Sequence, residues 1–139
     1  MPATEPSDRG ELTRRLLGAL SDGRIDECLS LLSPDVVIDL PFQPAGIGYW
    51  SHVVGTKAAR VFLSSVPALF SPHRLIVDEV LPVSDQPAVI VRYHGEFGVR
   101  ATGKPYRNTY IGVFRFEGRL ISGWTEYHNP SVMLEAVTP

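Results

Sequence analysis

Apolar positions in the first third of the chain recur at helical spacing. Leu12, Leu16, Leu17 and Leu20 mark one face of a helix, with Ser7 or Asp8 as its cap and Glu11 three residues beyond Asp8. Ser21-Asp22-Gly23 stops it. Ile25, Cys28, Leu29 and Leu32 predict a second, short helix that ends at Ser33-Pro34. Val36-Val37-Ile38 is β-branched and reads as the start of a strand. The stretch from Pro41 to Gly48 carries two prolines and two glycines and reads as a loop. Thr56 is placed to cap a third helix carrying Ala59, Phe62, Leu63 and Val66, which should break near Pro67.

The pattern then changes period. Residues 74–83, 88–99, 106–117 and 119–127 are rich in β-branched and aromatic side chains. Ser84-Asp85-Gln86-Pro87, Thr102-Gly103-Lys104-Pro105 and Glu117-Gly118 punctuate them as turns. Pro130 opens a last short helix reaching about Ala136. Helices, a strand, a helix and then an antiparallel meander predict an α+β layer plan, with helices on one face of a curved sheet. The 139 residues suit one domain, 1–139, preceded by a loose tail over residues 1–6.

Composition narrows the partners. Thirteen Lys+Arg against fifteen Asp+Glu give a net charge of −2, so no basic face invites nucleic acid or an acidic membrane. Cys28 is alone, which rules out a disulfide framework and a cysteine-rich zinc site. No apolar run reaches the roughly 18 residues of a membrane span, and residues 1–15 carry no signal-peptide core. A cytoplasmic location is the expectation.

Candidate chemistry concentrates in the last hairpin. Pairing Phe116 with Leu120 aligns apolar with apolar, placing Glu126 opposite Tyr110 and His128 opposite Asn108. Tyr106, Asn108, Tyr110, Phe114, Phe116, Trp124, Glu126 and His128 then share one face. A tighter turn pairing Phe116 with Arg119 would put Thr109 opposite Glu126 instead. Glu126 follows Leu120, Ser122 and Trp124 on alternate positions. A carboxyl in such surroundings loses hydration, its pKa rises, and it becomes able to exchange protons near neutral pH. The competing reading leaves Glu126 solvated at a frayed strand end, or paired with Arg107.

His52, His73, His94 and His128 do not form the H-x-H or H-x-x-x-H spacing of a metal site, and none is expected. His128 is a candidate proton-transfer partner, or a strand-end histidine with a structural hydrogen bond. Tyr49 and Trp50, beside His52 in a Gly/Pro loop, are candidates for a pocket lid or for edge packing. Gly46-Ile47-Gly48 lacks the context of a dinucleotide fingerprint, and no P-loop or G-x-S-x-G motif is present.

Several segments together resemble a known family. They are Tyr106-Arg107-Asn108-Thr109-Tyr110, the run from Val113 through Leu120, and Trp124-Thr125-Glu126-Tyr127-His128-Asn129-Pro130. Ser21-Asp22-Gly23, Leu32-Ser33-Pro34-Asp35-Val36 and Gly55 ahead of the third helix fit as well. The chain is similar over nearly its whole length to the SnoaL-like branch of the NTF2-like superfamily. The resemblance implies a cone: a curved mixed sheet around a pocket, three helices from the N-terminal half closing it, and a homodimer packed sheet on sheet. Within the superfamily the C-terminal third is most similar to the phenazine-biosynthesis A/B proteins, whose acid/base glutamate falls on Glu126 and whose pocket tyrosine falls on Tyr106. The acid groups of the ketosteroid isomerases fall near Leu16, Leu40 and Thr109 and are absent. The Asp-Arg-Asp set of limonene-type epoxide hydrolases cannot be assembled.

The resemblance therefore implies a cofactor-free acid/base enzyme of isomerase, cyclase or condensation type in secondary metabolism. Its substrate would be a small hydrophobic or aromatic molecule, a carbonyl, imine or polyketide-like compound. Glu126, His128 and Tyr106 would do the chemistry, and Asn108, Tyr110, Trp124, Phe42, Tyr49, Trp50 and Phe62 would hold the substrate. The alternatives are a non-catalytic ligand-binding or dimerisation module of the same fold, and an epoxide hydrolase.

Overall fold

The computed structural model describes residues 6–139. Its elements run α1 (Pro6–Ser21), α2 (Ile25–Ser30), β1 (Leu32–Asp39), β2 (His52–Val54), α3 (Gly55–Leu69), β3 (Phe70–Pro82), β4 (Ala88–Val99), β5 (Pro105–Glu117), β6 (Leu120–His128) and α4 (Pro130–Val137). The strands form one six-stranded sheet in the order β2-β1-β6-β5-β4-β3. All neighbours are antiparallel except β1 and β6, which run parallel, so the sheet is mixed. The α+β plan expected from the sequence is the plan of the molecule.

Periodicity decides what is buried. Leu12, Leu16, Leu17 and Leu20 all fall inside on α1, which packs on β3 and β4. Ala59 and Leu63 do the same for α3, which lies across β1 and β3. On the sheet, every second residue of β5 from Tyr106 to Phe116 turns inward, Gly112 among them. The main core lies between this inner face and α1–α3, and a second cluster of Phe70, Val99, Tyr106, Met133 and Ala136 forms under α4.

Several boundaries differ from the sequence expectation. Of the expected tail, residues 1–5 lie outside the described residues, and Pro6 opens α1, which puts Ser7 and Asp8 in its first turn rather than at its cap. Ser33-Pro34 belongs to β1 instead of ending the second helix, which stops at Ser30. Thr56 does not cap α3; the cap position is Val54, and the Thr56 hydroxyl donates to the Pro34 carbonyl at 3.3 Å. The helix continues past Pro67 to Leu69, at the loss of the one intrahelical hydrogen bond that the missing N–H would have made. β2 falls where a loop was expected, because its three residues gain strand geometry only by pairing with β1.

The β5–β6 register is the consequential correction. Glu117 pairs with Leu120 across Gly118-Arg119, with Gly118 at φ 61° supplying the left-handed first loop position. Phe116 then faces Ile121, while Arg115 faces Gly123, so Ser122 is an extra residue in β6. Beyond it, Phe114 faces Trp124, Gly112 faces Glu126, and Tyr110 faces His128. The expected pairing was therefore displaced by two residues. A displacement of two preserves the face, so Glu126 and His128 still turn inward. Leu120 and Ser122 leave that face, and Ile121 takes the buried position.

Candidate active site

Between the two apolar clusters the cone keeps a hollow of about 80 Å3, room for several water molecules. Its sheet wall comes from β3, β4, β5 and β6, its helical wall from α3 and α4, and its remaining wall from the segment between β1 and β2. Among the described lining residues Glu126 is the one carboxylate, and no lysine or arginine joins it.

Glu126 points inward on the alternation of β6, and the residue opposite it is Gly112. A Cβ at that glycine would lie 2.6 Å from Phe114 Cε2 and 3.0 Å from Tyr93 Cε1, so both rings cross the space that a side chain would fill. Tyr93 is fully buried on β4, and its hydroxyl donates to Glu126 Oε1. The indole Nε1 of Trp124 donates to the same hydroxyl at 3.3 Å, which turns the tyrosine proton toward the carboxylate. Burial pushes the Glu126 carboxyl up to about 7, and the hydrogen bond from Tyr93 pulls the other way with less effect. Burial first, and the Glu126 charge second, raise the Tyr93 hydroxyl well above its ordinary value, so it remains a donor.

Further polar side chains line the hollow, Tyr106, Tyr110 and His128 among them. Tyr106 and Tyr110 stand four residues apart on the same face of β5, their hydroxyl oxygens 3.3 Å from one another. Burial pushes Tyr106 up to about 12 and raises Tyr110 as well, so both are protonated. His128 is 6% exposed, and neither of its ring nitrogens meets a protein partner. Burial lowers its pKa, which keeps the imidazole neutral at pH 7.

Of the residues singled out from sequence, Glu126, His128, Tyr106, Tyr110, Tyr49, Trp50 and Phe62 line the hollow together. Three do not. Asn108 lies behind Tyr106 with its amide committed: Nδ2 donates to Tyr106 Oη and the Asn129 carbonyl, and Oδ1 accepts from the backbone N–H of Thr109 and Asn129. Trp124 is buried against Phe114, 5.3 Å between ring centroids, and reaches the site only through Tyr93. Phe42 is 53% exposed and packs edge-on against Tyr127, on the outer side of the sheet. The pairing of Glu126 with Arg107 does not form; Arg107 lies opposite Glu96 on the outer face.

Sequence reading missed Tyr93 and Gln43. Tyr93 was legible only as an inward position of β4, level with Tyr110. Gln43 lies in the β1–β2 segment, where nothing in the pattern fixes a direction. The remaining histidines, His52, His73 and His94, do not line the hollow; His52 Nδ1 meets Asp39 Oδ1 at 2.5 Å and His94 Nδ1 meets Asp78 Oδ2 at 2.7 Å. Among the described residues no three His, Cys, Asp or Glu side chains gather as a metal site. Among the described residues no helix is long and apolar enough to cross a membrane.

Residues 13–124 match the model of the SnoaL-like domain. The chain belongs to the SnoaL-like domain family. Relatives by sequence include the uncharacterised protein YesE of Bacillus subtilis (strain 168), 24% identical over 126 residues, 91% of this chain and 84% of the relative. Among solved structures, one from Bacillus subtilis, provisionally named an isomerase, superposes with a TM-score of 0.84 at 22% identity over 96% of this chain and 95% of its own. Another, from Xanthomonas campestris pv. campestris and provisionally named a polyketide cyclase, gives 0.78 at 19% identity over 97% of this chain and all of its own. At these identities the likeness is one of fold: the NTF2-like cone.

Proposed function

We propose that this SnoaL-like protein is an acid/base enzyme that moves a proton on a small apolar carbonyl or imine compound, as an isomerase, cyclase or condensing enzyme working without a cofactor. One observation carries the reading. A carboxyl is held in an apolar hollow, hydrogen-bonded by a tyrosine and raised to about 7, where it is half protonated at neutral pH and can both take and return a proton. Glu126 is the base in its ionised form. Tyr106 and His128 are donors for the oxygen on which charge develops, and the small hollow excludes bulk water, which strengthens each of these interactions. Tyr93 is a positioning residue, since it touches the carboxylate rather than the substrate.

The names of the fold neighbours support this class of chemistry without selecting a substrate. The similarity of the C-terminal third to phenazine-biosynthesis A/B proteins favours a condensation, with the same glutamate in the same role. Epoxide hydrolysis of the limonene type fits less well, because the hollow offers one carboxylate and no arginine. We also infer a cytoplasmic, single-domain homodimer using the outer sheet face, where Ile111, Leu81 and Tyr127 are exposed.

The test is α-hydrogen exchange of cyclohexanone in D2O followed by NMR. The protein should accelerate exchange with a rate that rises through an inflection near pH 7, and Glu126→Gln should reduce the acceleration by about 100-fold or more. Unchanged exchange in a folded Glu126→Gln protein would remove Glu126 from the chemistry.

A further inference from the structure

Two of the residues lining the hollow, Tyr106 and Gln43, have donor and acceptor senses set by their neighbours. The Tyr106 hydroxyl oxygen accepts from Asn108 Nδ2 at 2.9 Å and from the Tyr110 hydroxyl at 3.3 Å. The Asn108 direction is certain, because its Oδ1 is occupied by two backbone N–H groups. With its oxygen accepting twice, Tyr106 must send its own proton elsewhere, and the open side is the hollow it lines. The sheet wall thus presents a donor.

Gln43 sits on the wall between β1 and β2 with the opposite sense. Its Nε2 donates to the Trp50 carbonyl at 3.1 Å, and only the amide nitrogen can face a carbonyl. Its Oε1 is therefore turned away from that bond, buried, and meets no protein donor, while the residue lines the same hollow. His128, nine-tenths buried and without a protein partner at either nitrogen, shows independently that the hollow is built around polar atoms it does not itself satisfy.

We infer that the hollow is a two-point polarity filter: Tyr106 donates to an acceptor atom of the ligand, and Gln43 Oε1 accepts from a donor on the same molecule. The ligand class is a small apolar molecule bearing both a carbonyl-type oxygen and a hydroxyl or N–H group. A molecule with only one of the two leaves a buried group unpaired and binds more weakly. Gln43 is then a specificity-determining residue, and Tyr106 is the contact for the carbonyl. The inference concerns the site of the proposed function but not its chemistry, so it can stand or fall separately from the role of Glu126.

Binding of acetophenone, phenol and the 2-, 3- and 4-hydroxyacetophenones is measured by NMR titration. At least one hydroxyacetophenone should bind about tenfold more tightly than acetophenone. Gln43→Met, which keeps length and removes the acceptor, should erase that preference while leaving the acetophenone affinity within about twofold. Tyr106→Phe should weaken the ketones by about tenfold and leave phenol unchanged. Glu126→Gln should retain the preference, which separates ligand selection from proton transfer. Equal affinities across the five probes, no binding at all, or a preference that survives Gln43→Met would each overturn the inference.

Discussion

Glu126→Gln should change stability in a pH-dependent way that can be calculated. In the folded protein the carboxyl has a pKa of about 7, against an ordinary value of 4.5. Between those two pH values the folded state holds a proton that the unfolded chain has released. Unfolding free energy therefore falls as pH rises through that window, by about 1.4 kcal/mol per pH unit. Across the whole interval the loss is about 3 kcal/mol, or about 2 where water in the hollow screens the ionised carboxylate. Below pH 4.5 the group is neutral in both states and costs nothing, and above pH 7 the deficit is constant. Glutamine cannot ionise, yet its side-chain oxygen can still accept from the Tyr93 hydroxyl. Urea denaturation of both proteins from pH 4 to 9, at constant ionic strength, should show similar stability at the acid end. The variant should become more stable by about 2–3 kcal/mol at pH 8. Parallel curves at every pH, or a variant weaker at pH 8, would mean that the carboxyl is hydrated and the reasoning about the hollow fails.

Tyr93→Phe removes the one hydrogen bond that stabilises the ionised form, so the inflection in any Glu126-dependent rate should move above 7 by about 0.5–1 pH unit, read from the pH–rate profile. Gly112→Ala puts a methyl group into space crossed by the Phe114 and Tyr93 rings, which should cost about 1–3 kcal/mol by urea denaturation. Light scattering should give twice the 15.3 kDa chain mass, and Ile111→Glu on the exposed sheet face should return the monomer.

The sequence determined what is local. Helical and two-residue periods placed the leucines of α1 and the aromatics of β5 on their buried faces, and turn residues cut the meander at the correct loops. Alternation alone was enough to send Glu126 and His128 inward, because displacing a register by two residues leaves the faces unchanged. What faces what was decided only in three dimensions. The two-residue turn and the extra residue Ser122 together set Glu126 against Gly112 rather than Tyr110, and that glycine left room for Tyr93 to reach the carboxyl. Asn108 belongs to the same inward face as Tyr106, yet its bonds to Asn129 turn it into a support behind the wall. Phe42 and Gln43 are adjacent in a segment with no repeat, and one packs outside the sheet while the other reaches the hollow. A periodic pattern fixes the side of an element on which a residue lies. Which atoms meet there depends on bulges, loop paths and the packing of distant strands, which no local pattern encodes.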